Sequence, residues 1–215
     1  MRALRILLVA LLAATAIMVA AGPGRAAERD HLSITTVGDS ITAGGSAHPG
    51  HAYPDHLQRR LGGAATVTNA GVGGRCLVAT GCGDGVRMVD VFTDLIADRP
   101  DVVVLNGGRN DFCHVTTKTL TDALRLLRWR GQKLGVRVVL STATPANSRW
   151  PWPCEEQRIE VNEWIRTQPD YVDLEAALIG KHTGELRRRY DSGDGLHPNS
   201  RGYARMAAAV YRHLH

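Results

Sequence analysis

Residues 34–44 read ITTVGDSITAG, and the fold follows from this stretch. Its first four residues are β-branched, which is typical of a buried strand. Gly38 breaks the strand, and Asp39 and Ser40 follow where the chain leaves the predicted sheet. Because ligands bind at the carboxyl ends of strands in an open α/β sheet, Ser40 is a candidate nucleophile. A Gly-Asp-Ser turn without a chemical role is the alternative interpretation of so short a motif.

Strands and helices alternate along the rest of the chain. Apolar and β-branched runs predict strands over 32–37, 65–69, 101–105, 136–142 and 171–174. Helical spacing of apolar residues predicts helices over 53–61, 84–97, 119–134, 155–166 and 200–213. This alternation predicts an α/β domain with a doubly wound, five-stranded parallel sheet. The proline-rich residues 144–153 are predicted to form a loop.

The first 26 residues have the pattern of a secretory signal peptide. Arg2 and Arg5 precede an apolar run over residues 6–21, and small residues around Arg25 allow cleavage after Ala26. The run is shorter than the roughly 20 residues that span a bilayer, which disfavours a membrane anchor. We therefore expect a secreted, monomeric domain over residues 27–215.

Removing this leader changes the charge balance. The whole chain has a formal net charge of +5, and the leader carries three arginines and no acidic residue. The mature chain is therefore near +2. Arginine-rich residues 124–130 and 187–189 have the spacing of solvated helix faces, so we expect no nucleic-acid partner.

The chain has four cysteines, and an even number in an exported protein predicts disulfides. Cys76 and Cys82 would close a glycine-rich loop, and Cys113 and Cys154 would join two loops at one end of the sheet. A zinc site is the alternative, but the spacings lack the close C-x-x-C pairs that structural zinc favours.

A serine nucleophile needs a base, and residues 193–199, GDGLHPN, offer one. His197 is the candidate base, and Asp194 lies three residues earlier, where its carboxylate can hold the imidazole in the required tautomer. The alternative is a structural turn at Asp194 that leads into the last helix.

Acyl transfer also needs hydrogen-bond donors for the negatively charged oxygen of the tetrahedral intermediate. Residues 69–74, NAGVGG, follow the second predicted strand and offer the backbone N–H of Gly74. Residues 108–111, GRND, follow the third predicted strand and offer the side-chain amide of Asn110.

Together, these segments resemble the four sequence blocks of the SGNH (GDSL-type) hydrolases. Residues 38–40 resemble the nucleophile block, 69–74 the glycine block, 108–111 the G-x-N-D block and 194–197 the D-x-x-H block. Their order and approximate spacing also agree, from about residue 32 to the C-terminus. Ile41 stands where the family's name has leucine.

The resemblance implies a flavodoxin-like, three-layer α/β/α sandwich with Ser40 as nucleophile, His197 as base and Asp194 as its orienting partner. It implies oxyanion donors from the backbone of Ser40 and Gly74 and from the Asn110 side chain. It also implies hydrolysis without a metal or cofactor. The expected substrates are acetyl or short-acyl esters of carbohydrates or lipids. An acyltransferase on the same fold, or an exported module that only binds carbohydrate or cell wall, remains as an alternative.

Further side chains near these segments have open alternatives. Three histidines could bind a metal, although a polar loop is favoured because no carboxylate spacing supports a metal site: His48, His51 and His56. Trp150 and Trp152 could form an apolar wall beside the site or simply pack a surface loop. Arg75 and Arg109 adjoin the proposed oxyanion donors, where they could meet a charged substrate.

Overall fold

The computed structural model describes residues 31–150, 154–180 and 184–215. The predicted signal peptide and Trp152 therefore lie outside the described residues. Five strands form one parallel sheet in the order β2-β1-β3-β4-β5. The strands are β1 (Leu32–Gly38), β2 (Ala65–Gly71), β3 (Val102–Asn106), β4 (Arg137–Ser141) and β5 (Tyr171–Val172).

Helices cover both faces of this sheet. Those in the described ranges are α1 (Ser40–Ala43), α2 (Tyr53–Leu61), α3 (Met88–Leu95), α4 (Thr117–Lys133), α5 (Glu155–Arg166), α6 (Leu174–Leu178) and α7 (Ser200–Leu214). The helices α3, α4 and α5 pack on one face, and α2, α6 and α7 pack on the other. No helix in the described part of the chain has the length and apolar character needed to cross a bilayer.

The central strand β3 shows why the sheet has two covered faces. Side chains alternate across a strand, so Val102 and Val104 contact the core on the α2 and α7 side. Val103 and Leu105 contact the core on the α3, α4 and α5 side. All four are at most 4% exposed, as expected of a parallel strand between two helical layers. The predicted three-layer α/β/α fold with five parallel strands is confirmed.

One predicted helix is too long at its start. The helix predicted over 84–97 begins only at Met88. The residues before it form turns, in which Gly85 N donates to Cys82 O and Val86 N donates to the side chain of Asp84. The Asp84 carboxylate also pairs with Arg75. These contacts hold the segment in a non-helical conformation.

The strand predicted over 171–174 is also too long, because it ends at Val172 and Leu174 begins α6. Asp173 caps this short helix by accepting a hydrogen bond from Ala176 N at 2.9 Å. The sequence pattern predicted neither α6 nor the one-turn helix α1. The remaining strands and helices lie within two residues of their predicted bounds.

Both expected disulfides are present. Cys76 pairs with Cys82 across six positions, and Cys113 pairs with Cys154 across 41 positions. The second bridge joins the loop after β3 to the start of α5. Both lie toward the carboxyl end of the sheet, where the candidate site is found.

Candidate active site

Ser40 is the first residue of α1, and Asp39 alone separates it from the end of β1. Asp39 caps this helix by accepting a hydrogen bond from Ile41 N at 2.9 Å. The turn is so tight that a Cβ on Gly38 would lie 2.0 Å from Thr42 Oγ1. Glycine is therefore required at this point, and the turn presents Ser40 at the carboxyl end of a central strand.

His197 lies between Ser40 and Asp194. Its Nε2 is 2.9 Å from Ser40 Oγ, and its Nδ1 is 2.6 Å from Asp194 Oδ2. When Nδ1 carries the proton and donates a hydrogen bond to Asp194, the lone pair on Nε2 accepts the hydrogen bond from the serine hydroxyl. The fold therefore brings together two side chains that are 157 positions apart in the chain.

Gly45 makes room for the imidazole. A Cβ at this position would lie 2.6 Å from His197 Cδ2 and 2.9 Å from Nε2. The Gly45 carbonyl accepts a hydrogen bond at 2.8 Å from the hydroxyl of Tyr203 on α7. The sequence did not indicate a role for Gly45, because the residues that it contacts, His197 and Tyr203, lie near the other end of the chain.

Asp194 is held as a carboxylate. Its Oδ1 accepts hydrogen bonds from the backbone N–H groups of Leu196 and His197, at 2.9 and 2.8 Å. Its Oδ2 accepts from the His197 ring and, at 3.2 Å, from Ser46 Oγ. Burial would raise the pKa of Asp194, but these hydrogen bonds outweigh burial and hold the pKa well below its usual range. The carboxylate can therefore stabilise a positively charged imidazolium.

Asp39 is a second carboxyl group near Ser40, and its surroundings are the opposite. It is 1% exposed, and its Oδ2 has no hydrogen-bond partner among the described residues. Burial raises the pKa of Asp39 to about 6, although the hydrogen bond from Ile41 and the charge of Arg109 act in the other direction. This carboxyl group was not singled out in the sequence.

Gly74 and Asn110 border one cavity, which has a volume of about 330 Å³ and which is also lined by Leu196, the neighbour of His197. Gly74 has φ +72°, and a Cβ added to it would lie 3.1 Å from Gly83 Cα. Both the backbone conformation and the available space therefore favour glycine here. The Asn110 side chain donates one hydrogen bond to Arg75 O at 2.9 Å. Because a primary amide has two N–H donors, the second remains for a ligand.

Asp111 supports this side of the site, and the sequence interpretation missed it. The carboxylate is fully buried and accepts hydrogen bonds at 2.7–2.8 Å from the backbone N–H groups of Leu77, Val78 and Ala79. It therefore fixes the loop that follows Cys76 and also the position of the neighbouring Asn110. The available signal was the last residue of the GRND segment, an aspartate to which no role had been assigned.

The two arginines near the proposed donors are already paired. Arg75 contacts the carboxylate of Asp84, and Arg109 Nη1 lies 2.7 Å from Glu155 Oε1. Arg109 is also stacked near the ring of Phe112, with its guanidinium carbon 5.8 Å from the ring centre. Neither guanidinium offers an uncompensated charge to a substrate.

The three histidines after the serine lie near α7. His51 Nδ1 is 3.0 Å and His56 Nε2 is 3.3 Å from Ser200 Oγ. His48 and His51 contact each other edge to face, with ring centres 6.5 Å apart. Trp150 borders the cavity beside Gly74 and Asn110, as one of the two alternatives for this residue had it.

Comparisons with known proteins identify the family and the fold of the chain. A model of the GDSL-like Lipase/Acylhydrolase family matches residues 36–205. The chain is 25% identical to an acetylxylan esterase of Xylanibacter ruminicola over 86% of its own length. That alignment covers 43% of the relative, so the chain spans less than half of the curated protein that it matches.

Solved structures share the fold. A member of the lipolytic protein G-D-S-L family from Veillonella parvula superposes with a TM-score of 0.69 at 19% identity, covering 84% of this chain and 97% of that chain. A carbohydrate acetylesterase family member from Sinorhizobium meliloti superposes with a TM-score of 0.65 at 16% identity, covering 85% and 97%. At these identities the likeness concerns the fold.

Proposed function

We propose that this chain, which belongs to the GDSL-like lipase/acylhydrolase family, is a secreted serine esterase with Ser40, His197 and Asp194 as its catalytic residues. Family membership makes it a carboxylic ester hydrolase. The observation that carries the assignment of residues is the position of His197, within 2.9 Å of Ser40 Oγ and 2.6 Å of Asp194 Oδ2. These are the contacts that an activated serine requires.

In the first half of the reaction, Ser40 Oγ attacks the carbonyl carbon of the ester while its proton passes to His197 Nε2. The imidazolium that forms keeps its Nδ1 proton and donates a hydrogen bond through it to Asp194, whose lowered pKa keeps the carboxylate ionised. The tetrahedral intermediate then collapses. His197 Nε2 gives its proton to the leaving oxygen, the alcohol departs, and the acyl group remains on Ser40.

In the second half, water attacks the acyl carbon and His197 Nε2 takes a proton from that water. Collapse of the second tetrahedral intermediate returns this proton to Ser40 Oγ and releases the carboxylic acid. No metal or redox group takes part in these steps.

The negatively charged oxygen of each intermediate needs donors, and we propose the backbone N–H groups of Ser40 and Gly74 and the side-chain amide of Asn110. Two observations support this assignment. Gly74 and Asn110 border one cavity, and the hydrogen bond from Asn110 to Arg75 O orients the amide. In proteases, removing one such donor costs about 10²–10³ in kcat.

The substrates that we propose are acetyl or short-acyl esters of carbohydrates or lipids. The support is the relative named acetylxylan esterase. Secretion is supported by the pattern of the first 26 residues and by the two disulfides, which are typical of oxidising compartments. Mass spectrometry of the exported protein should find a chain that begins at Ala27.

Labelling with a fluorophosphonate probe tests the assignment of the nucleophile. We expect the parent protein to be labelled at Ser40 and to hydrolyse p-nitrophenyl acetate, and Ser40→Ala to do neither. Ser148→Ala is a matched control, because Ser148 is an exposed serine outside the proposed triad. A parent protein that binds acetylated sugar but is neither labelled nor active would be a binding module. Faster delivery of the acyl group to an added sugar than to water would indicate an acyltransferase.

A further inference from the structure

The cavity beside the proposed oxyanion donors has no assigned ligand. Its volume is about 330 Å³, and its lining includes Gly74, Asn110, Phe112, Trp150 and Cys154. The loops that bound it are fixed in several ways. Cys82 and Cys154 both belong to disulfides, and Asp111 holds the loop after Cys76 by three hydrogen bonds.

The position of this cavity indicates which part of an ester enters it. The leaving oxygen must face His197 Nε2, because it receives its proton there. The carbonyl oxygen must face Gly74 and Asn110. The fourth substituent of the tetrahedral carbon, the acyl chain, then enters the cavity that these donors border, whereas the alcohol leaves on the side of His197.

The walls of the cavity are mainly apolar. Phe112, Leu196 and Cys154 are at most 7% exposed, and their apolar surface together with Trp150 lines the space. Arg109 is the permanently charged residue of the lining, and its guanidinium is paired with Glu155. An acyl group with a carboxylate at its end would therefore lose hydration without gaining an unpaired guanidinium as its partner.

The cavity is also much larger than an acetyl group needs. At roughly 30 Å³ for a group of the size of a water molecule, it has room for on the order of ten such groups. Acetyl has one methyl carbon beyond its carbonyl, so most of the apolar wall would remain in contact with water. A longer acyl group would remove that surface from water.

We propose that this cavity is an acyl pocket that selects an apolar acyl group of about six to ten carbon atoms over acetyl. This inference rests on the proposed function. It concerns the acid part of the ester, and either a straight alkyl chain or an aromatic acyl group has the required chemistry. Within the proposed class of acetyl and short-acyl esters, the preferred acyl group is therefore longer than the acetyl group in the name of the acetylxylan esterase relative.

The test compares kcat/KM of the parent protein for the p-nitrophenyl esters of acetate, octanoate and cinnamate. A fully buried methylene gives about a fourfold gain. Because one side of the cavity is open, we expect octanoate or cinnamate, or both, to exceed acetate by at least tenfold. The better of the two longer substrates distinguishes a chain from a ring. Equal or lower values for both would overturn the inference.

The variant Trp150→Ala removes one wall of the cavity. We expect the ratio of kcat/KM for the preferred longer ester to kcat/KM for acetate to fall about tenfold, and Trp150→Phe to restore most of it. Trp129→Ala is the matched control, because Trp129 is 53% exposed on α4, away from the cavity lining, and its ratio should equal that of the parent. If Trp150 had a purely structural role, Trp150→Ala would lower kcat/KM for both esters by the same factor and leave their ratio unchanged. That result would contradict the assignment of Trp150 to the wall of the acyl pocket.

The two hypotheses fail in different ways. If no ester is hydrolysed in a manner that depends on Ser40, the proposed function is wrong, and the acyl pocket falls with it. If acetate is hydrolysed and the longer esters are not preferred, only the acyl pocket is wrong.

Discussion

The proposed site has two sides, the catalytic residues and the wall of the cavity. The catalytic residues are joined to one another by hydrogen bonds alone: Ser40, His197 and Asp194. The wall of the cavity comprises residues 74–83, 109–114, Trp150 and Cys154. Its parts are held together by two disulfides, by the ion pair of Arg109 with Glu155 and by the buried carboxylate of Asp111. The difference follows from what each side does in the proposed reaction. A proton must move between Ser40 and His197 in every cycle, so the contacts there must be reversible. The wall needs only to keep its shape, and covalent or multiply bonded contacts do this best.

This contrast predicts that damage to the hydrogen-bonded side abolishes activity and costs less stability than loss of the Cys113–Cys154 disulfide. For His197→Ala we expect kcat to fall by about 10⁶, because serine and histidine act as a unit in proteases with this arrangement. The double variant with Ser40→Ala should lose little more than either single variant. Kinetics with p-nitrophenyl acetate and urea unfolding of the three variants provide the measurements.

Losses that add for the two substitutions would show that Ser40 and His197 act independently, which contradicts the proposed roles. Ser200→Ala is a useful control. Ser200 also contacts histidine side chains, those of His51 and His56, but it lies outside the proposed triad.

Asn110 lies in the wall, but its amide is proposed to donate a hydrogen bond to the negatively charged oxygen of the intermediate. Its replacement therefore tests a contact that links the wall to the reaction. We expect Asn110→Ala to lower kcat by about 10²–10³, with a smaller change in KM, because the donor is used mainly in the transition state. The comparison variant is Asn147→Ala, since the Asn147 amide instead contacts Asp191 at 3.0 Å. A rise in KM at unchanged kcat would assign Asn110 to substrate binding rather than to the oxyanion.

The two disulfides allow the wall to be weakened without touching the proposed triad. Loop-closure entropy predicts a cost of about 4 kcal/mol in unfolding free energy for Cys113→Ser/Cys154→Ser and about 2 kcal/mol for Cys76→Ser/Cys82→Ser. The difference arises because the loops span 41 and six positions. We expect kcat for acetate to change less than tenfold in both. Unfolding in urea measures the stabilities, and equal costs for the two bridges would contradict the loop-length explanation.

Much of this arrangement was predictable because its signals are local. Runs of β-branched residues predict the strands, and the residues that follow each strand must lie at the carboxyl edge of a parallel sheet. Ser40, Gly74 and Asn110 all come after such strands. The pairing of the cysteines followed from the loops on which they lie.

What the sequence did not reveal depends on contacts between distant residues. The three backbone donors to Asp111 are 32–34 positions away, and no local pattern indicates them. The late start of α3 has the same cause, because the segment before it is bound to Arg75 and to the disulfide loop. Whether a carboxyl group near the nucleophile has partners can likewise be seen only in the folded chain.

Asp39 and Asp194 give the clearest contrast. Among the described residues, Asp39 Oδ2 has no hydrogen-bond partner, whereas both oxygens of Asp194 accept hydrogen bonds. Burial raises the pKa of Asp39 to about 6 from an ordinary value of 3.8. Between these values the folded state binds more protons than the unfolded state. Stability therefore falls as pH rises through this window, by up to about 3 kcal/mol for a shift of this size. Asp194 has a lowered pKa, so its contribution has the opposite sign and is lost as pH falls.

The variant Asp39→Asn isolates this cost, since asparagine caps a helix as well as aspartate does and carries no charge. We expect parent and variant to have similar unfolding free energies near pH 4, and the variant to be more stable by up to about 3 kcal/mol above pH 7. Contributions from other groups, including Asp194, cancel in the difference between the two proteins. Urea unfolding at pH 4, 5, 6, 7 and 8 measures it. If the difference does not vary with pH, Asp39 keeps the same charge in the folded and unfolded states, and the contrast between the two carboxyl groups is one of hydrogen bonding alone.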